Sequence, residues 1–239
     1  MLFRSMNGSS STAYMRCIGV NSSGLFVAIG YNSSAYPVYA TSTDGSTWTT
    51  PASMAGYSSY LVFQSIAVNS AGLFVAVGFN ASAYPYFSTS SNGSTWTTPA
   101  SIAGFSAAFY PNSVSVNNSG LFVVVGYDAN GYPMYSTSSD GSTWTTPALM
   151  NGSTTIAYMN AIAINKSGLF VATGYNASTK AVFAQSSNGS TWTTPAFMNG
   201  VATTMQVSPN VLAVSPSGLY VCIGYDPTNS RPLYATSHI

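Results

Sequence analysis

The stretch Ser42-Thr43-Asp44-Gly45-Ser46-Thr47-Trp48-Thr49-Thr50-Pro51 decides the fold, because it returns almost unchanged at 90–99, 138–147 and 186–195. All four tryptophans of the chain, at 48, 96, 144 and 192, lie within it, so the sequence repeats a 48-residue unit. A second marker, Gly-Leu-Phe/Tyr-Val, begins at Gly24, Gly72, Gly120, Gly168 and Gly218, which makes five copies against four tryptophans. The missing fifth tryptophan falls between Ile239 and Met1, where a ring of units would be cut.

A lone unit of this length cannot bury its own apolar face, so the 239 residues read as one repeat domain. Its strands are legible in the second unit. Ser65-Ile66-Ala67-Val68 turns through Asn69-Ser70-Ala71-Gly72 into Leu73–Phe79, a polar turn beginning at Asn80 leads to Tyr84–Ser90, and Asn92-Gly93 turns into a fourth strand predicted over 96–101. Asn-Gly and Asp-Gly between β-rich runs are strong hairpin signals, because both residue types tolerate positive φ. No segment carries a useful helical period. Four-stranded units of this length are the mark of β-propeller blades, which pack radially and leave only short edges.

The chain ends are complementary, since aligning Val20 with Val68 sets Met6 on Met54 and Gly8 on Gly56. The expectation is an all-β, five-bladed propeller of four antiparallel strands per blade. Its last blade is shared between residues 1–9 and 207–239, the amino-terminal strand closing the ring and removing the sheet edge.

Composition narrows the function. Only Arg4, Arg16, Lys166, Lys180, Arg231, Asp44, Asp128, Asp140 and Asp226 carry fixed charge, and there is no glutamate. Five scattered cations cannot supply the basic stripe that nucleic-acid binding needs. The apolar runs are too short for a spanning helix of about 20 residues. A surface hydrated by hydroxyls and amides is the composition of extracellular, virion and adhesive proteins. The start, Met1-Leu2-Phe3-Arg4, lacks the apolar core of a secretion signal. Cys17 and Cys222 flank the expected ring junction and read as two small buried apolar side chains, with a disulfide as the alternative.

Ser42-Thr43-Asp44-Gly45-Ser46-Thr47-Trp48 resembles the Asp-box, or BNR, repeat of sialidase-like propellers, in a form one residue shorter between acid and tryptophan, with Asn92 and Asn188 replacing the acid in two copies. The resemblance implies a blade, with Asp or Asn capping a turn and Trp wedged between strands. It does not carry over a hydrolase. Glycoside hydrolysis of the sialidase kind needs an arginine cluster and paired acids, whereas this chain has Arg4, Arg16 and Arg231 and places its four aspartates at turns. His238, the one histidine, has no Cys or Asp at ligand spacing and reads as a frayed or crevice-filling terminus. No catalytic residue, metal site or cofactor is expected.

The turns of the tryptophan face are near copies, which suits a scaffold, while the opposite, blade-to-blade loops differ from unit to unit, as binding loops on a rigid frame do. Four residues before each inner-strand Val or Ile stand Arg16, Gln64, Asn112, Asn160 and Asn210, predicting a polar ring at the entrance of the central channel. Tyr14, Tyr110 and Tyr158 lie beside it, with Tyr57, Tyr60 and Phe105 farther out. Amides next to aromatic faces suit neutral sugars, so the leading expectation is a non-enzymatic, lectin-like module for carbohydrate or another neutral cell-surface ligand. The structural reading of the same residues is interblade packing and satisfaction of backbone groups. The alternative function is a building block of a virion, phage tail or extracellular assembly, or an engineered repeat propeller, with protein assembly partners.

Overall fold

The computed structural model describes residues 12–54, 57–105, 107–198, 204–215 and 217–238, arranged as five antiparallel sheets. The first holds β1 (Ala13–Val20), β2 (Phe26–Asn32), β3 (Pro37–Ser42) and β4 (Ala52–Ser53). The second holds β5 (Leu61–Val68), β6 (Phe74–Asn80), β7 (Pro85–Ser90) and β8 (Ala100–Ser101). The third is β9 (Phe109–Val116), β10 (Phe122–Asp128), β11 (Pro133–Ser138) and β12 (Ala148–Leu149). The fourth is β13 (Ala157–Ile164), β14 (Phe170–Asn176), β15 (Ala181–Ser186) and β16 (Ala196–Phe197). The last holds β17 (Gln206–Val214), β18 (Leu219–Tyr225) and β19 (Pro232–His238). Strands pair in chain order within every sheet, the blade topology of a five-bladed β-propeller. The segment expected to complete the last blade, residues 1–9, lies outside the described residues, as does Met6.

Fourth strands are shorter than the sequence suggests. The ladder ends at the tryptophan turn and resumes for two residues at β8 and its equivalents. The proline of Thr-Thr-Pro has no N–H to donate. Before it, a threonine hydroxyl stands in for a backbone acceptor: Thr97 N donates to Thr89 O at 2.9 Å, and Thr89 N donates back to Thr97 Oγ1 at 2.9 Å. His238 is the last residue of β19, opposite Leu219.

The tryptophan turns are held by side-chain acceptor oxygens, among them Ser42 Oγ, which accepts Gly45 N at 2.9 Å. Asp44 Oδ1 accepts Ser46 N at 2.8 Å and Thr47 N at 2.6 Å. Asn92 Oδ1 accepts Ser94 N at 3.0 Å and Thr95 N at 2.7 Å, so amide and acid are interchangeable. The indole then donates back to the turn, Trp144 Nε1 to Gly141 O at 3.2 Å. Asn21, Asn117 and Asn165 cap the β1–β2, β9–β10 and β13–β14 turns in the same manner, each accepting two backbone N–H groups. This demand for side-chain acceptors explains a sequence so rich in Asn and Ser.

The core lies between blades. Four hydrophobic clusters fill the four junctions between consecutive sheets. Trp96 packs on Tyr39 of the preceding sheet, Trp144 on Phe87 and Trp192 on Tyr135, with ring centroids 6.0–6.4 Å apart. Met54, Ile102, Met150 and Met198, just after each fourth strand, plug the same junctions and are buried. Between the first and last sheets no such cluster forms among the described residues: Ile18 of β1 is 57 % exposed and Tyr234 of β19 is 73 % exposed. Trp48, which would face that junction, is only half-buried. Cys17 and Cys222 are free thiols, the latter buried with its Sγ 3.5 Å from Met198 Sδ.

Candidate functional site

Each innermost strand carries a β-bulge at the position where the polar ring is expected. The pairing of β1 with β2 skips between Met15 and Cys17, that of β5 with β6 between Phe63 and Ser65, and that of β13 with β14 between Met159 and Ala161. Asn112 is the skipped residue in β9, and the skip in β17 runs from Val207 to Leu212. Arg16, Gln64, Asn112 and Asn160 are therefore the extra residues of their bulges, and Asn210 lies within the longer skip in β17.

Glycine makes the bulge possible. A Cβ on Gly126 would stand 1.9 Å from Tyr110 O, and the equivalents Gly30, Gly78, Gly174 and Gly224 meet the same obstacle at 1.8–2.1 Å. Only a residue without a side chain lets the bulged strand approach so closely.

The ring residues bond mostly to one another and to backbone. Arg16 Nη1 donates to Gln64 Oε1 at 3.0 Å, and Asn210 Nδ2 donates to Gln64 O at 2.8 Å. Asn112 Nδ2 donates to Met159 O at 3.0 Å and to Asn160 Oδ1 at 2.9 Å; Asn160 Nδ2 donates to Val207 O at 2.7 Å. Gln64, Asn112 and Asn160 are buried. One residue on, Ser65 Oγ accepts Val114 N and Ser113 Oγ accepts Ile162 N, tying neighbouring inner strands. Arg16 and Asn210 also line a channel cavity of about 310 Å³ with Cys17 and Ser65.

The aromatic residues form a belt at the mouth on the loop-bearing face. Tyr14 lies on Tyr31 at 5.3 Å, and Arg16 sits over the Tyr31 ring at 5.5 Å. Phe79, Tyr110, Tyr127, Tyr158 and Tyr175 touch in succession, with centroids 5.0–5.3 Å apart. Burial, with the neighbouring phenols Tyr175, Tyr110 and Tyr158, pushes the Tyr127 hydroxyl above its ordinary range, and burial does the same to Tyr175, so both stay neutral. Within the belt, a cavity of about 210 Å³ is lined by Tyr127, Tyr175, Tyr225, Gln206 and the edges of Asn112 and Asn160. The Tyr225 hydroxyl donates to Gln206 Oε1.

The predicted site residues thus separate. Arg16 and Asn210 line the channel cavity, Asn112 and Asn160 the mouth, and Gln64 bonds to both channel residues. Tyr158 is half-buried between Tyr127 and Tyr175, while Tyr14 stands at the flank beside the junction of first and last sheets. Tyr60 and Tyr110 line a separate cleft. Tyr57 packs edge-on against Tyr86 at 5.9 Å, where burial and Tyr86 push its hydroxyl up to about 12. Phe105 is half-buried in the core between the second and third sheets. Neither Tyr57 nor Phe105 reaches the mouth cavity. Sequence reading missed the strand-two aromatics Tyr31, Phe79, Tyr127, Tyr175 and Tyr225, although each follows the bulge-permitting glycine in its unit.

The four aspartates sit apart from this site or serve its turns. Asp44 and Asp140 cap tryptophan turns on the opposite face, and backbone N–H groups of Thr47 and Thr143 hold their carboxyls well below the usual range. Asp128 and Asp226 cap β10–β11 and β18–β19 turns. Lys180 lies over the Phe197 ring at 5.8 Å. Among the described residues no three acids, histidines or cysteines gather as a metal site, and no helix is long and apolar enough to cross a membrane.

No family model matches the sequence, and no curated protein does. Solved structures do resemble the fold. The BP39L lectin from Burkholderia pseudomallei matches with a TM-score of 0.72 at 12% identity, over 96% of this chain and 69% of that one. The K499G mutant of NanB sialidase from Streptococcus pneumoniae matches with a TM-score of 0.67 at 13% identity, over 100% and 61%. A protein of unknown function from Dyadobacter fermentans matches with a TM-score of 0.66 at 16% identity, over 92% and 76%. At such identities the likeness is one of fold, shared by lectins and sialidases alike.

Proposed function

We propose that the chain is a non-enzymatic recognition module that binds carbohydrate, or a similarly neutral hydroxylated ligand on a cell surface, at the mouth of its loop-bearing face. The observation that carries this reading is the aromatic belt around the mouth cavity, with side-chain amides set among uncharged phenols. Aromatic faces receive the apolar face of a sugar ring, and a few placed polar groups fix its orientation. Among the described residues no charged side chain lines that cavity. Two acids converging on one centre are what hydrolysis asks for, and here each aspartate is spent on a turn. The lectin neighbour makes glycan binding a natural use of this fold, and an extracellular or virion setting agrees with the charge-poor surface.

Because the amide hydrogens of Asn112 and Asn160 are engaged by Met159, Asn160 and Val207, these two residues act mainly by shaping the mouth. Gln206, Tyr225, Tyr175 and Tyr127 make the contacts. The test is a neutral-glycan array followed by elution with free sugar. Retention that resists salt and is lost in Tyr175→Ala with unchanged melting supports the reading; the same retention in that variant defeats it.

A second reading, a building block of a larger assembly, draws support from the apolar flanks at Ile18, Val20, Ile223 and Tyr234. It requires that these residues become protected when the native assembly forms, which hydrogen exchange across β1 and β18 measures.

A further inference from the structure

Resting on the carbohydrate reading, we infer that the face takes a linear neutral oligosaccharide spanning two subsites, the mouth and a cleft beneath Tyr60, in preference to a single sugar. The cleft, about 340 Å³, is walled by Tyr60, Phe79 and Tyr110 and floored by the turn Asn80-Ala81 with Ala83. Tyr60 is 44 % exposed and immediately precedes β5. Phe79 meets Tyr110 edge-on at 5.3 Å, and Tyr110 stacks on Tyr127 at 5.1 Å, so the ring that walls the cleft also touches one that lines the mouth.

Two features, an aromatic wall and an open floor, set this cleft apart from the other junctions. The positions equivalent to Tyr60 hold Thr12, Ala108, Ile156 and Thr204, so only the second unit raises an aromatic wall there. At the next junction the space is filled: Tyr158 lies so close over Gly131 that an added Cβ would come within 2.8 Å of its ring. Ala83 takes the place of Gly131 in the second unit, and its carbonyl accepts Phe109 N at 3.0 Å, the same clip that Ala35 O and Gly131 O make at the neighbouring junctions, which ties the cleft floor to the third sheet. Asn80 Oδ1 accepts Ser82 N and Tyr84 N, each at 3.0 Å, which holds the amide rigidly and leaves Nδ2 as donor to a ligand hydroxyl.

Size argues for joint use. Ligand pockets usually enclose about 300–1,000 Å³. The mouth, at about 210 Å³, falls below that range and the cleft sits at its lower end, so neither encloses more than part of a glycan. Among the described residues no charged side chain lines either cavity, which favours neutral sugars. A ligand bridging both subsites gains by effective concentration what each shallow site lacks.

The experiment is calorimetry against β-1,4-linked glucose and β-1,4-linked N-acetylglucosamine, each from one to six units long. Affinity in one series is expected to rise by roughly tenfold or more between one unit and four. Tyr60→Ala should cancel about three- to tenfold of that gain, the worth of one aromatic face, and leave the single sugar unaffected; Tyr60→Phe should retain the gain. Equal affinity at every length, or a length gain untouched by Tyr60→Ala, overturns the second subsite while the carbohydrate reading stands. Failure of every member of both series to bind, with none retained on a neutral-glycan array, overturns both.

Discussion

Gly126→Ala tests the device on which the mouth is built. The added Cβ would lie 1.9 Å from Tyr110 O, 2.8 Å from Tyr110 C and 2.9 Å from Phe109 Cε2. Two of these are main-chain atoms, so no side-chain rotation relieves the overlap, and β9 must move away from β10. Overpacking of this kind costs about 1–3 kcal/mol. The displacement also pulls Asn112 from Met159 O and Asn160 Oδ1, and each buried acceptor left without a donor adds about 1–3 kcal/mol. The three terms sum to about 3–9 kcal/mol, at or beyond the large end for a single substitution. Gly120→Ala is the control: it sits at φ +87 with nothing within 4 Å of its Cβ, so its cost is the positive-φ penalty alone, about 1–2 kcal/mol. Urea unfolding of both variants at pH 7 separates crowding from backbone strain. If Gly126→Ala costs no more than Gly120→Ala, the close approach of bulged strand to glycine is not what shapes the mouth.

Other expectations follow from the same geometry. Trp144→Ala, removing a buried indole packed on Phe87, should cost about 3–5 kcal/mol, and Trp48→Ala markedly less because that indole is half-buried; thermal melts compare them. Asp140→Asn should be nearly neutral, since Asn92 and Asn188 already hold the same turn, whereas Asp140→Ala should lower the unfolding free energy by about 1–2 kcal/mol of lost capping. Backbone N–H groups depress the folded-state pKa of Asp44, Asp140 and Asp226, so their stabilisation is complete above the unfolded carboxyl pKa of about 4 and is lost as pH falls through the folded values. Stability should therefore be flat from about pH 5 to pH 8 and fall only in acid, a fall that Asp44→Asn with Asp140→Asn reduces. Burial pushes the Cys17 thiol up to about 12, against the pull of Arg16, and the Cys222 thiol up to about 11. Both should resist a thiol reagent at pH 8 and react once urea unfolds the chain.

The fold was legible because repetition multiplies every weak local signal. One Asn-Gly turn suggests a hairpin; the tryptophan turns at one spacing, with five Gly-Leu strings, fix strand number and blade count. The ring positions of Arg16, Gln64, Asn112, Asn160 and Asn210 could be found by alignment alone. That they occupy bulges was not apparent, because a bulge breaks the two-residue alternation without leaving a mark of its own. Its mark lies on the partner strand, in a glycine amid β-branched residues. The aromatic belt is half visible: Tyr110 and Tyr158 stand just before the ring positions, but Tyr127 and Tyr175 lie in second strands, where no site residue is expected. Tyr57 and Phe105 misled because an aromatic in a variable loop looks the same whether it turns to solvent or into the next junction. The truncated fourth strand traces to one proline per unit, and the exposed flanks of β1 and β19 depend on packing that no single repeat encodes.

The claim that recognition belongs to the loop-bearing mouth is tested most directly by locating a bound glycan. A crystal of the protein soaked with the neutral sugar that ranks first on the array should show it against Tyr127, Tyr175 and Tyr225, with Gln206 within hydrogen-bond reach. Density for the sugar at the tryptophan turns of the opposite face, with the mouth empty, contradicts the account.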